Sequence, residues 1–482
     1  MSLLGILVGL GLLVGFAFRG WSVLLLAPIA ALIAAFFSGE PLLAHWTQTF
    51  MSSASHFLAQ FFPLFLLGAL FGKLMEDSGS VTAIADLIIR KLGHGRAVLA
   101  VVLASALVTY GGVSLFVAFF VIGPMAQELF RGAGVPRHLM PAAIALGTST
   151  FTMSALPGTP SIQNAIPMPF FGTTPFAAPG LGIVASIIMF GFGMWWLSRA
   201  EAKARRAGQG FGDNNVPAHI EGFKMARERA TTAHEFDPAE LDHGQAVDVA
   251  PSPIVAALPL VVVIVVNMTM SLIILPRLDV SYLAEPRWGE TSLAAVGGVW
   301  AVVTALACAI VAVLVVNFGR LPTLRETVDA GANASVLPAL SVASLVGFGA
   351  VVAEMPAFAL VRDWVLGLSG GPLVSLATAT NVLAALTGSA SGGLTIALDA
   401  LGSTYMARAA EIGMDPALLH RVAVIASGTL DSLPHNGAVV TLLAVCGSTH
   451  RESYFDIVMV GIVSAILALV AVIVLGSLFG SF

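Results

Sequence analysis

Apolar runs long enough to cross a bilayer recur along this chain, from Leu3 to Phe479. About 20 residues of apolar helix span the hydrocarbon core, and an unpaired backbone group left inside it costs several kcal/mol. Helix is therefore the default for each run. Only 10% of the 482 residues are charged and 57% are hydrophobic, whereas soluble domains carry roughly a quarter charged residues. The pattern predicts an all-α polytopic membrane protein embedded in a lipid bilayer. It makes nucleic acid an unexpected partner. Cys308 and Cys446 both lie in apolar runs and read as buried small hydrophobes. No Cys/His spacing suggests a metal, so neither a metal nor a cofactor is expected. Met1–Phe18 has no basic residue before its apolar run and reads as a first span, not a cleaved leader.

Continuous spans are expected at about 3–18, 22–37, 57–75, 180–198, 252–276, 292–317, 333–353 and 455–479. Residues 80–93 read as an interfacial helix, with Val81, Ile84, Ile88 and Leu92 on one stripe. A second interfacial piece is expected at 355–368. The run 97–130 is interrupted at Thr109–Gly112 and reads as two short legs meeting at that tip. A helix from 138 dissolves at Gly147–Thr150 and stays irregular through Pro160. Segments 373–412 and 416–447 are broken in the same manner. Residues 199–251 lose the apolar pattern and carry seven basic residues, which predicts a solvated linker.

The most telling break is Thr429–Val440. Within it stand Asp431, Ser432, Pro434, His435, Asn436 and Gly437. Irregular backbone at membrane depth survives only where protein or a water-filled cavity surrounds it, and an ionisable residue there is a functional-site hypothesis by default.

The two halves read as one pattern used twice. Gly68 matches Gly349, Gly111–Gly112 match Gly392–Gly393, and Gly147–Thr148 match Gly428–Thr429, all at an offset of 281; Pro136 matches Pro416 at 280. Breaks in corresponding positions of two halves point to a central binding site. The first half is read as 1–198, with scaffold spans in 1–56 and a hairpin and broken helix in 97–170. The second is 252–482, with scaffold spans in 252–330 and its hairpin and broken helix in 373–447. If each half crosses five times, the halves are inverted, with both termini external and the linker cytoplasmic. That arrangement puts 17 Lys and Arg inside and five outside (Arg277, Arg287, Arg362, Arg408 and Arg421), as the positive-inside tendency predicts. The expected fold is thus two inverted repeats, each with a re-entrant hairpin and a broken transmembrane helix.

Four irregular segments should then converge: the tips at 109–114 and 389–395, and the breaks at 147–159 and 427–437. The expected substrate contacts are Thr109, Tyr110, Gly111, Gly112, Ser114, Thr148, Ser149 and Thr152 from the first half. From the second they are Ser391, Gly392, Gly393, Thr429, Ser432, His435 and Asn436. No Lys or Arg lies in these segments. An organic anion would be held by helix N-termini, backbone N–H groups and hydroxyls. Many of these hydroxyls could instead bond back to their own backbone. Asp431, His435 and Asp399 are the candidates for carrying a coupling ion. A proton needs a titratable group such as His435 or a desolvated Asp431, whereas Na⁺ needs only clustered oxygens. Glu76 and Asp77 read as solvated span-end charges. Asp399 reads as facing a cavity or pairing with Arg408.

At these residues the chain resembles a known family. Gly68–Gly79 (GALFGKLMEDSG) resembles the gluconate permease family of the ion transporter superfamily. Gly388–Gly402 (GSASGGLTIALDALG) and Leu418–Leu443 (LLHRVAVIASGTLDSLPHNGAVVTLL) are most like its D-β-hydroxybutyrate permease branch. The resemblance implies a secondary symporter in the inner (plasma) membrane. Its cargo would be a short hydroxy-monocarboxylate such as 3-hydroxybutyrate, coupled to H⁺, with Na⁺ as the other ion. It further implies a dimerising scaffold and elevator-type alternating access. Gluconate or another sugar acid, lactate and citrate are the alternative cargoes. The neighbourhood of Phe116, Phe119 and Phe151 suits a short acid. An intramembrane enzyme would need a nucleophile or metal beside Asp431 and His435, and none is expected.

Overall fold

The computed structural model describes residues 1–482 except Phe18, Gly20, 213–249 and His435. Among the described residues the structure is helical with no strand. The first half holds α1 (Ser2–Ala17), α2 (Val23–Ser38), α3 (Leu42–Asp77), α4 (Ser80–Leu92), α5 (Ala97–Tyr110), α6 (Leu115–Ala133) and α7 (Met140–Thr148). Three short pieces follow, α8 (Phe151–Ser154), α9 (Ile162–Ala165) and α10 (Pro167–Phe171), before α11 (Pro179–Arg206). The second half holds α12 (Pro253–Arg277), α13 (Leu293–Arg320), α14 (Leu324–Glu354), α15 (Phe358–Leu366), α16 (Gly371–Thr387), α17 (Ala390–Glu411), α18 (Pro416–Thr429), α19 (Gly437–Val445) and α20 (His450–Phe479). Seven of these, α3, α6, α11, α12, α13, α14 and α20, are long and apolar enough to cross a membrane. This is a multi-pass membrane protein.

Small residues set how closely the helices pack, since lipid offers apolar side chains no gain from mutual contact alone. On α2 the buried face is Ala27, Ala30, Ala31, Ala34 and Ala35, a helical stripe turned toward α1 and α14. Opposite it, a Cβ on Gly9 would lie 2.6 Å from the Ala30 carbonyl oxygen. The hairpin legs α16 and α17 meet in the same way, because a Cβ on Gly393 would fall 2.3 Å from the Ala384 amide nitrogen. Gly147 serves α7 likewise, as its Cβ would lie 2.4 Å from the Val102 carbonyl oxygen of α5.

The packing is reciprocal between the halves. α5 packs on α7 and α16 on α18; α2 packs on α14 and α13 on α3; α3 lies against α14, and α11 against α20.

Several expectations need correction. The third span starts at Leu42, not near 57. α11 continues to Arg206, so the first four basic residues assigned to the linker lie on a helix end, where Arg205 pairs with Glu201 at 2.8 Å. Lys224, Arg227 and Arg229 lie outside the described residues. Cys446 is buried, but Cys308 is exposed on its helix. Asp77 is not solvated: Lys73 Nζ lies 3.0 Å from Asp77 Oδ1, and the Thr327 hydroxyl donates to Asp77 Oδ2 at 2.6 Å. Both charged side chains are 2% exposed. The ion pair lies within α3, and the Thr327 bond ties it to α14, where Gly331 admits the close approach: its Cβ would stand 2.9 Å from Leu70 Cα.

Candidate functional site

The irregular segments line one cavity of about 310 Å³. The first tip supplies Thr109, Gly112, Val113 and Ser114; the second supplies Gly388 and Ser389, with Thr387 and Ser391 on the helix ends beside it. The first break adds Thr148, Thr152 and Met153, and the second adds Asp431. Leu64–Ala69 of α3 and Ser335–Leu345 of α14 close the remaining sides.

Three helices of eight or more residues begin at this cavity. Leu115 and Phe116 open α6, Ala390 and Ser391 open α17, and Gly437 and Ala438 open α19; all six residues line it. A helix N-terminus carries about half a positive charge and free N–H groups, so each attracts an anion. Ser114 caps α6, accepting from Phe116 N at 3.3 Å, and Ser389 caps α17, accepting from Gly392 N at 3.2 Å. Ser114 thereby keeps its own proton for donation into the cavity, whereas the Ser389 hydroxyl also pairs with that of Ser391 at 3.3 Å. The turn before Ser114 uses Gly112 at φ +99°, a conformation L side chains rarely adopt.

Asn436 ties the second break to the second tip. Its Oδ1 accepts from Ala438 N at 2.7 Å and Val439 N at 3.4 Å, capping α19. Its Nδ2 donates to Gly388 O at 2.9 Å and to Asp431 Oδ1 at 2.8 Å. The backbone N–H of Ala390 also bonds the Asp431 carboxylate. Asp431 therefore sits in the field of α17 and α19 on the cavity wall.

The threonines behave otherwise. Thr148 donates to Ile144 O at 2.9 Å, Thr152 to Gly147 O at 2.7 Å and Thr429 to Ile425 O at 2.9 Å, and Thr109 bonds Ser105 O. On the cavity wall Thr109, Thr148 and Thr152 thus offer lone pairs, not protons, to a ligand, whereas Thr429 is buried behind it.

Other expected contacts stand behind the wall. Tyr110 donates its hydroxyl to Pro157 O at 2.8 Å, and Gly111 is closed off by Leu260. Ser149 bonds Thr148, and Ser432 packs against Gly461. Gly392 and Gly393 are not at the tip. The second tip is confined to Gly388 and Ser389, and both glycines lie inside α17, facing Leu345 and Ala384. The 281 offset thus matched a packing glycine pair to a turn pair. Of the three phenylalanines, Phe116 lines the cavity; Phe119 is buried, and Phe151 packs on Phe190. Asp399 lines a separate cavity, and Arg408 donates to Leu366 O at 2.9 Å. His435 lies outside the described residues. Among the described residues no three His, Cys, Asp or Glu side chains gather as a metal site.

A family model described as GntP family permease matches residues 1–192. The uncharacterized transporter YxjC of Bacillus subtilis (strain 168) is 39% identical over 484 residues, covering 98% of each chain. The chain belongs to the GntP permease family. It is a transporter, not an enzyme.

Sequence reasoning missed one charged group of this GntP permease. Arg421, placed outside by the charge tally, is 0% exposed within α18. Its Nη1 donates to Ala155 O at 3.2 Å, and its Nε and Nη2 donate to Ala177 O at 3.1 and 2.6 Å. These carbonyls belong to the long irregular path between α8 and α11, which has no helix partners for them. His420 beside it bonds Thr173 through Nδ1 at 2.6 Å and Asn164 through Nε2 at 3.2 Å. The available signal was an arginine inside the apolar run Leu418–Val424. The permease also lines its cavity with Ser161, Gln163, Ser335 and Ser341, which no break or motif had marked.

Proposed function

We propose that this permease is a proton-coupled symporter that imports a short hydroxy-monocarboxylate such as 3-hydroxybutyrate. The observation that carries the reading is a carboxylate, Asp431, on the wall of a cavity where three helix N-termini meet. Those N-termini attract a substrate carboxylate. An ionised Asp431 occupies the same field and repels it, since like charges in low dielectric interact by several kcal/mol. A proton on Asp431 removes the repulsion. Anion and proton then load together, and an ionised empty site resists leak. His435 stays a second carrier candidate from its place in the chain.

Cargo size follows from the lining. About 310 Å³ is at the small end of the roughly 300–1,000 Å³ usual for small-molecule pockets. Val113, Leu115, Phe116 and Met153 give part of the wall an apolar surface that suits the methyl end of a short acid. Gluconate, lactate and citrate remain the competing cargoes. Reciprocal packing of α5 on α7 and α16 on α18, and of α2 on α14 and α13 on α3, supports an inverted repeat. In that repeat the hairpins α5–α6 and α16–α17 are re-entrant and move against a dimerising scaffold. Both termini are external, the linker is cytoplasmic, and the membrane is the inner one.

The test is uptake of labelled 3-hydroxybutyrate into proteoliposomes under an imposed pH gradient or Na⁺ gradient. The expected result is accumulation with the pH gradient alone. Asp431→Asn should lose accumulation yet keep substrate exchange at equal concentrations. Accumulation driven only by Na⁺, or Asp431→Asn accumulating normally, refutes the coupling. Failure to take up this acid while another is accumulated refutes the cargo.

A further inference from the structure

A second cavity, of about 230 Å³, shares no lining residue with the first. Its polar wall is two facing stripes. Ser52, His56 and Gln60 repeat every four residues on α3, and Thr395 and Asp399 stand four apart on α17. Residues four apart share one helix face. Asp399 and His56 are the titratable side chains lining this cavity. Among the described residues neither has a hydrogen-bond or ion-pair partner; both are exposed on the cavity wall, mid-helix in a chain that is only 10% charged. An ionisable residue so placed marks an ion or proton path.

The charged groups on the surrounding elements are engaged elsewhere. On α3, His45 Nδ1 lies 3.4 Å from Glu354 Oε2 of α14, and Lys73 pairs with Asp77. On α17, Arg408 bonds Leu366 O. α10 contributes Phe170 and α14 contributes Val346.

Both walls also reach the substrate cavity. α17 presents Ser391 there, eight residues or about 12 Å of helix before Asp399. α3 presents Leu64, eight residues beyond His56. A shift of α17 relative to α3 moves substrate contacts and the Asp399–His56 register together.

We infer that the second cavity is a proton-binding station, in which a proton taken up by His56 creates an ion pair with Asp399 that draws α17 onto α3. The inference rests on the transport reading above but uses a different pair of residues. With the proton bound, the imidazolium faces a carboxylate across the cavity; without it the attraction is gone.

The test needs no substrate. The purified chain in lipid nanodiscs is treated with diethyl pyrocarbonate, which acylates neutral imidazole, and His56 is followed by mass spectrometry from about pH 6 to pH 8. The other histidines serve as internal controls. In the wild type, His56 should be protected at the acid end and reactive at the alkaline end. Asp399→Asn should raise the acid-end rate several-fold and leave the alkaline-end rate unchanged, and Asp399→Glu should restore protection. A His56 rate unaffected by Asp399→Asn overturns the pair. A His56 that reacts at no pH overturns the proton-accessible station. Neither result depends on whether 3-hydroxybutyrate is the cargo or Asp431 the carrier.

Discussion

Asn436 is the side chain whose loss should cost transport most for its size, because one amide joins three parts of the site. Asn436→Ala removes the cap of α19, worth about 1 kcal/mol. It also removes the bond to Gly388 O, about 1 kcal/mol, and the bond to the Asp431 carboxylate, about 2 kcal/mol. Together these amount to about 4 kcal/mol, or close to three powers of ten in the population of the assembled break and tip. Asn436→Ser keeps a cap and loses the two donations, so its deficit should be smaller. Asn436→Asp keeps the cap but sets a second carboxylate against Asp431, so its uptake should recover as pH falls and one of the two is protonated. The assay is initial uptake of whichever acid the wild type accumulates, normalised to monodisperse protein and run at several pH values. Asn436→Ala retaining more than about a tenth of wild-type uptake, against the thousandfold loss expected at 1.4 kcal/mol per decade, would refute the claim that this amide holds the site together.

Three further outcomes follow from the packing. Gly393→Val places branched carbon within 2.3 Å of the Ala384 backbone, so the α16–α17 hairpin should open and transport be lost, while Gly191→Ala on α11, whose Cβ meets nothing within 4 Å, should be far milder; loss of uptake and of thermal stability by size-exclusion after heating is the readout. Lys73→Met leaves Asp77 buried without its cation and should lower stability by about 3–5 kcal/mol, whereas Lys73→Met with Asp77→Leu should recover much of it; an unchanged melting temperature in the single variant contradicts the buried pair. Arg421→Met strips donors from the Ala155 and Ala177 carbonyls, at about 1–3 kcal/mol for each orphaned group, and Arg421→Lys should rescue it only in part, as judged by melting temperature and by the concentration dependence of uptake.

Legibility was uneven, for physical reasons. The breaks at Gly147–Thr150 and Thr429–Asn436 showed in the sequence because helix breakers and polar groups are conspicuous in an apolar run. The second tip was misplaced because a Gly-Gly pair has two uses, a turn or a close approach, and only the neighbour decides between them: Pro160 and Leu306 beside Gly112, the Ala384 backbone beside Gly393. Asp77, with Glu76, read as a span-end charge because its partner 250 residues away, Thr327, cannot be seen from local spacing. Arg421 was hidden for the same reason, since its acceptors are carbonyls more than 240 residues earlier.

What the sequence determined by itself was the solvent: long apolar runs with scarce charge require a bilayer and therefore helices, and the interruptions mark where that rule is suspended. Which interrupted residues face a ligand was decided by tertiary structure alone. A hydroxyl becomes a donor, an acceptor or a mere backbone bond according to the carbonyl or helix end beside it, and those neighbours come from segments distant in the chain.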